Sequence, residues 1–170
     1  NVTLGDIAAA SGVNTVILTD TGGNDTVAID ADAPSTITVE FDSDATNANS
    51  VIAAATYAGA ITVKAADTEL DTRASTFTGG TGSDTLEITA SGGAATALGS
   101  VTNVETIKIV GATLASGVTL DDANATYSGS SSYQTVTVDA TALTTGIATI
   151  NAVAETDAKV VIKGGGGADI

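Results

Sequence analysis

The stretch that most constrains this chain is residues 76–88, T-F-T-G-G-T-G-S-D-T-L-E-I, which reads as strand, glycine turn, acid and strand. The glycines at 79, 80 and 82 predict a tight bend with positive φ, because glycine has no Cβ to forbid it. Such a bend turns carbonyl oxygens inward, and Asp84 adds a carboxylate directly after it. Carbonyl and carboxylate oxygens are the ligands that calcium prefers. The stretch therefore predicts either a calcium-binding turn or a β-turn in which Asp84 caps the backbone.

Two other segments repeat part of this pattern. Near the end stands Gly164-Gly165-Gly166-Gly167-Ala168-Asp169, and near the start Asp20-Thr21-Gly22-Gly23-Asn24-Asp25, where Asp20 and Thr21 replace the leading glycine pair. The nine residues after the central turn, 88–96, contain no aspartate. A calcium ion at the central turn would therefore have to be shared with a turn that is distant in sequence.

The pattern G-G-x-G-x-D-x-hydrophobic-x resembles the RTX nonapeptide, a calcium-binding repeat of β-helical proteins. Together with the Asn103-Val104-Glu105-Thr106 segment and the Thr/Ala/Ser/Gly-rich composition, it resembles the RTX-type surface-layer (S-layer) proteins of Gram-negative bacteria. This resemblance implies a β-solenoid with calcium-binding turns, secretion, and assembly with copies of itself on the cell surface. The expected calcium ligands are Asp84, Gly79, Thr81 and Gly82, and at the two related turns Asp169, Gly164, Gly166, Asp20 and Asp25.

Composition narrows the function further. The chain has 170 residues, with 20 acidic and 5 basic side chains and a net charge of −15. This charge disfavours nucleic acids and anionic membranes as partners and favours divalent cations. The absence of His and Cys excludes Ser-His-Asp and Cys-His catalysis and the usual zinc ligands. Paired carboxylates could still hydrolyse glycosides, although few aromatic residues are present to stack on sugars.

Short alternating runs between Gly-rich turns predict an all-β fold with very little helix. In residues 35–41, for example, Ile37, Val39 and Phe41 alternate with polar side chains. Residues 67–73 read as a charged loop. The gaps between the motif aspartates at 25, 84 and 169 are near three and four solenoid turns of roughly 20 residues. A single β-rich domain spanning 1–170 is expected, as a fragment of a longer secreted protein; a β-solenoid is favoured and a β-sandwich is the alternative.

Two functions compete at this stage, and neither is enzymatic. The first is a structural building block of a calcium-dependent extracellular array, with copies of the chain and cell-surface polysaccharide as partners. The second is an RTX adhesin or biofilm-matrix protein that binds a receptor or a glycan. A polysaccharide-active β-helix enzyme is a third and less favoured alternative. No apolar run approaches membrane-spanning length, so membrane insertion is not expected.

Overall fold

A computed structural model describes residues 2–4, 14–18, 25–41, 50–71, 75–90, 96–111, 117–125, 134–145, 149–167 and 169. Within these residues there are fifteen strands and one short helix. They are β1 (Val2–Leu4), β2 (Thr15–Leu18), β3 (Asp25–Ile29), β4 (Thr36–Phe41), β5 (Ser50–Ala53), β6 (Ala60–Ala66), α1 (Asp67–Asp71), β7 (Thr76–Thr78), β8 (Thr85–Ala90), β9 (Thr96–Ala97), β10 (Val101–Thr102), β11 (Thr106–Gly111), β12 (Val118–Thr119), β13 (Thr135–Asp139), β14 (Ile150–Asn151) and β15 (Lys159–Lys163).

The strands form three parallel sheets that wrap around one core. One sheet has seven strands in the order β15-β13-β11-β8-β6-β4-β2, a second has five in the order β1-β3-β5-β7-β10, and a third has three in the order β14-β12-β9. Successive strands along the chain change sheet, and every described strand pair is parallel. This is a β-solenoid, which confirms the expected fold; a β-sandwich, with its antiparallel sheets, is not observed.

The register gives the length of each rung, meaning one turn of the solenoid. Thr15 pairs with Thr38 and Thr62 pairs with Thr85, so these two rungs are equally long. Thr85 pairs with Thr106, which makes a slightly shorter rung, whereas Thr106 pairs with Thr137, which makes a distinctly longer one. Rungs are therefore unequal, and somewhat longer than the roughly 20 residues expected.

The core consists of stacked aliphatic side chains from the inward face of each strand. One column of the seven-stranded sheet runs through Val39, Val63, Leu86, Ile107 and Val138, all in register and all fully buried. Residues on either side of this column in each strand point outward, as the period of two requires. Short and β-branched side chains fill a narrow solenoid, which is why the sequence needs few aromatic residues.

Residues 67–71 differ from the charged loop that the sequence predicts for residues 67–73. Asp67–Asp71 forms helix α1, which packs against β6, β8 and β9. Asp67 and Glu69 stand in its first turn, where acidic side chains favour helix formation. A single helical turn has too few residues to show a 3.6-residue period, so the pattern gave no sign of it. Arg73 and the loop 42–49 lie outside the described residues.

Candidate functional site

The central glycine turn forms a corner of the solenoid. Residues 79–84, called the Asp84 corner below, connect β7 of the five-stranded sheet to β8 of the seven-stranded sheet. The corner of the previous rung lies on one side of it and that of the next rung on the other. The Thr81 N–H donates to the Tyr57 carbonyl at 2.7 Å, and the Gly79 N–H donates to the Thr102 carbonyl at 2.9 Å. Backbone hydrogen bonds thus hold the corner between its two neighbours.

The glycines of this corner are needed for a reason other than the predicted one. Positive φ among the described glycines occurs at Gly111 and Gly117, so the expectation of positive φ at 79, 80 and 82 is wrong. A Cβ on Gly80 would instead lie 2.0 Å from the Tyr57 carbonyl oxygen, and a Cβ on Gly82 would lie 2.1 Å from that of Gly59. The glycines allow one rung to approach the next more closely than any side chain would permit.

Asp84 is completely buried, and two backbone donors bind its carboxylate. Its Oδ1 accepts the Ile61 N–H at 2.9 Å and its Oδ2 accepts the Gly80 N–H at 2.6 Å. Ile61 belongs to the preceding rung, whereas Gly80 belongs to the same corner. The carboxylate therefore ties two rungs together and satisfies two buried donors, which is the backbone-capping alternative of the sequence analysis.

A second acid, Glu105, stacks directly beside Asp84 in the next rung. The Asp84 N–H donates to Glu105 Oε2 at 2.7 Å, and the Gln134 amide donates to Glu105 Oε1. Burial raises the pKa of Asp84, although the N–H groups of Ile61 and Gly80 act against it. Burial likewise raises the pKa of Glu105, and the nearby Asp84 charge adds to that rise. The two acids occupy inward positions that aliphatic residues fill in other rungs.

Two carbonyl oxygens of the corner, those of Gly79 and Gly80, also have a hydrogen-bond partner. The Asn103 side-chain amide donates to the carbonyls of Gly79, at 3.4 Å, and of Gly80. Asn103 itself adopts a φ of 58°, a left-handed conformation that asparagine tolerates better than most residues. A calcium ion at Asp84 with backbone oxygens from Gly79 and Thr81 remains a prediction. In the described arrangement the ion would compete with N–H donors for the Asp84 carboxylate and the Gly79 carbonyl.

The central and the C-terminal glycine–aspartate turns do not stack on one another. Gly164 to Gly167 follow β15 at the edge of the seven-stranded sheet, and the Gly166 N–H donates to the Leu143 carbonyl at 3.0 Å. Strands β11 and β13 separate β15 from β8, which places the two motifs about 14 Å apart along the solenoid. Asp169 is exposed. Asp20 and the side chain of Asp25 lie outside the described residues.

A different group of acids lies at another corner and was not among the predicted ligands. Asp122 follows β12, and Glu155 and Asp157 follow β14, its neighbour in the three-stranded sheet. One carboxylate oxygen from each residue lies within 4.8 Å of the others. These three residues are called the acidic cluster below. They come from adjacent rungs, so the cluster links two rungs as Asp84 and Ile61 do.

Glu155 is the residue that makes the acidic cluster unusual. Its Oε1 accepts the N–H groups of Asp157 at 3.3 Å and of Ala158 at 3.0 Å. Its Oε2 is buried and accepts no hydrogen bond from the residues that the structure describes. Asp122 Oδ1 accepts both the N–H of Thr156, at 2.9 Å, and its hydroxyl, at 2.6 Å. A buried carboxylate oxygen without a donor has the capacity to bind a cation.

The pKa values of the cluster reflect this arrangement. Burial raises the pKa of Glu155, and the neighbouring charges of Asp157 and Asp122 raise it further against two backbone hydrogen bonds. The hydroxyl and N–H of Thr156 lower the pKa of Asp122. A divalent cation would relieve the repulsion among the three carboxylates, and three oxygens leave room for the water and carbonyl ligands that calcium accepts. The donor set thus fits calcium.

The cluster was missed because its members are far apart in the sequence. Asp121-Asp122 reads as an ordinary acidic loop, and Glu155 lies more than a full rung further along the chain. Val118 pairs with Ile150, so the two loops meet only because this rung is longer than those before it. No nonapeptide or other spacing marks the site. The register was the only signal that could have found it, and the register is not readable from a single sequence.

No family model, curated protein or solved structure matches this chain. Among the described residues no helix combines the length and the apolar character that crossing a membrane would require.

Proposed function

We propose that this chain is a structural unit of a calcium-dependent extracellular protein array on a bacterial surface. The observation that carries the proposal is the acidic cluster, where Asp122 of one rung meets Glu155 and Asp157 of the next with a buried oxygen that has no described donor. The β-solenoid supports it as well, because a stack of parallel rungs makes a rigid rod suited to a structural role. The resemblance to RTX-type surface-layer proteins points in the same direction.

The physical reason for calcium dependence is charge. Twenty acidic and five basic side chains give each copy a net charge of −15, so copies repel one another in solution. A divalent ion between carboxylates offsets part of this repulsion, both between rungs and between copies. An ion that binds only the folded chain also stabilises the fold by mass action. Calcium would therefore first stiffen the solenoid and then permit assembly.

The test is sedimentation and electron microscopy of the protein across a calcium titration, with a chelator as the reverse step. We expect assembly to grow toward millimolar calcium, the range of weak extracellular sites, and to disappear on chelation. Glu155→Gln is the matched variant, because it keeps the shape of the side chain and removes the charge that faces the ion. A chain that binds calcium but stays monomeric throughout would exclude the array and favour the adhesin.

A further inference from the structure

The outward face of the seven-stranded sheet carries an in-register row of alternating charges. Ile17 on β2 pairs with Glu40 on β4. Each following strand of the sheet contributes one residue in register with Glu40. The row, called the charge ladder below, consists of Glu40, Lys64, Glu87, Lys108, Asp139 and Lys163. Each of the first five stands between buried residues of its own chain segment, so the row lies on the outside.

This face differs from the rest of the molecule in charge. Its strands hold all four lysines of the chain, the fourth being Lys159 on β15, against three acids: Glu40, Glu87 and Asp139. The strands of this sheet therefore sum to +1, in a chain whose total is −15. Two copies that repel each other elsewhere can approach here without like-charge repulsion.

The order of the charges makes the face complementary to itself. From β4 to β15 the ladder reads minus, plus, minus, plus, minus, plus, and the reversed order has the opposite sign at every position. A two-fold axis along the strands, midway between β8 and β11, would place Glu40 against the partner's Lys163. The same axis would place Lys64 against the partner's Asp139 and Glu87 against the partner's Lys108. An even number of alternating charges allows this isologous pairing.

The surroundings of the ladder suit such a contact. Beside it runs a second in-register row of uncharged Thr38, Thr62, Thr85, Thr106 and Thr137, ending at Val161. The same two-fold axis would place this row opposite the same row of the partner copy. A groove of about 440 Å³ lies at the β2 end of the ladder, where Glu40, Lys64 and Glu87 line it together with apolar residues such as Ile17 and Phe41. In the two-fold arrangement the stems of the partner's Lys163 and Lys108 would pack against these apolar residues.

We propose that this face pairs two copies of the chain in an antiparallel, two-fold arrangement. The pairing goes beyond the array proposal because it needs no calcium. Two ion pairs already exist within one chain, Lys108 to Glu87 at 2.8 Å and Lys163 to Asp139 at 3.1 Å, and the partner would extend them into a network. Exposed ion pairs add little affinity but select partners and register. Six strands of such a face bury about 900 Å² in total, which is the size of a weak interface.

The first test measures the oligomeric state of the 170-residue chain in chelator at about 0.1 M salt, where a Debye length of about 10 Å screens the repulsion between charges outside the interface. Sedimentation equilibrium at up to about 1 mM protein suits a weak interface. We expect a monomer–dimer equilibrium that shifts to monomer as salt rises to about 0.5 M, where screening shortens to a few ångströms. A chain that stays monomeric in chelator overturns the pairing, whatever calcium does to the array. Conversely, a calcium-independent dimer that never forms larger assemblies would leave the pairing intact and exclude the array.

The second test uses two charge reversals that cannot compensate within one chain. Glu40 and Lys163 lie on strands separated by β6, β8, β11 and β13, so they meet only across the two-fold axis. Glu40→Lys alone and Lys163→Glu alone should each weaken dimerisation at least about tenfold, because each sets like charges opposite each other twice. An equimolar mixture of the two should dimerise again, since the reversed charges then complement each other.

The mixture distinguishes contacts between copies from charge repulsion within one copy. Mixing leaves the repulsion inside each variant unchanged, so any recovery of dimerisation comes from contacts between the two copies. A mixture that stays monomeric, or single variants that dimerise like the unchanged chain, would overturn the proposed axis. Circular dichroism of each variant checks that the solenoid is intact. Should either variant fail to fold, Lys64→Glu with Asp139→Lys tests the same axis, because these positions also face each other across it.

Discussion

The Asp84 corner and the acidic cluster both place carboxylates between two neighbouring rungs, yet the two regions use them differently. Asp84 is fully buried, and each of its oxygens accepts a backbone N–H. In Glu155, Oε1 accepts two backbone N–H groups, whereas Oε2, which is also buried, accepts no hydrogen bond from the described residues. The comparison teaches that the donors around an acid, rather than the motif that contains it, decide whether it closes a turn or has capacity left for a cation.

The largest expected effect concerns the Asp84 corner, where both carboxylate oxygens already accept backbone N–H groups. Asp84→Ala leaves the buried N–H groups of Ile61 and Gly80 without their acceptor, and each such loss costs about 1–3 kcal/mol. We therefore expect the free energy of unfolding, measured by urea in chelator, to fall by about 3 kcal/mol or more. Asp32→Ala is the matched control, because Asp32 is exposed, and it should change stability by less than about 0.5 kcal/mol.

A stable Asp84→Ala chain in chelator, combined with a loss of calcium binding in calorimetry, would reverse the interpretation of this corner. Asp84 would then be a calcium ligand, as the nonapeptide predicts, and its hydrogen bonds to Ile61 and Gly80 would contribute little.

The next largest effect concerns calcium binding at the acidic cluster. Glu155→Gln keeps an oxygen for the N–H groups of Asp157 and Ala158 and removes a charge that Asp122 and Asp157 repel. In chelator the variant should be at least as stable as the unchanged chain. Its calcium affinity should fall by about tenfold or more, equivalent to about 1.4 kcal/mol. Calorimetry and thermal unfolding with and without calcium measure both quantities, and equal calcium binding by the two chains would remove Glu155 from any site.

A smaller effect concerns pH. Burial raises the pKa of Asp84, Glu105 and Glu155, so the folded chain binds more protons than the unfolded chain above the ordinary carboxyl range, about pH 4. Their protonation stabilises the fold fully below that range, and the stabilisation is lost as pH rises through the raised values. In chelator, the urea midpoint should therefore increase as pH falls from about 7 toward 5.

Asp122 and Asp139 change the stability of the fold in the opposite direction, and they do so at lower pH. Hydrogen bonds from Thr156 lower the pKa of Asp122 and those from Thr141 lower the pKa of Asp139, so both lose their contribution only as pH falls below the ordinary carboxyl range. Glu105→Gln should flatten the slope between about pH 7 and 5, because it removes one of the three carboxyl groups with a raised pKa. A slope unchanged by Glu105→Gln would assign the pH dependence to the overall charge instead.

The smallest effect compares two copies of the same motif. Asp169 follows a glycine run like that of the Asp84 corner, but it is exposed. Asp169→Ala should therefore cost less than about 1 kcal/mol, as surface substitutions usually do. A loss as large as that of Asp84→Ala, measured by the same urea titration, would show that the motif itself sets the energy and not the burial around it.

Much of the fold could be predicted from local pattern. Alternation such as Ile37, Val39 and Phe41 identified strands, and the Gly-rich turn before Asp84 identified a corner, because both signals depend on neighbouring residues only. The same signals gave the wrong reason for the glycines. Gly80 and Gly82 are required by carbonyls of the preceding rung, which stand a full turn of the solenoid earlier in the chain, and no local pattern contains that information.

The sequence by itself determined that this chain would form short strands with an aliphatic inner face, joined by Gly-rich turns, with an excess of acid and few basic groups to balance it. Only the tertiary structure decided which residues meet. Rungs of unequal length bring Lys64 beside Glu87 and Glu105 beside Asp84, and the longer rung between β12 and β14 brings Asp122 beside Glu155. The physical reason is that parallel pairing transmits register from strand to strand, so a charge ladder or an acidic cluster depends on the length of every loop between its members.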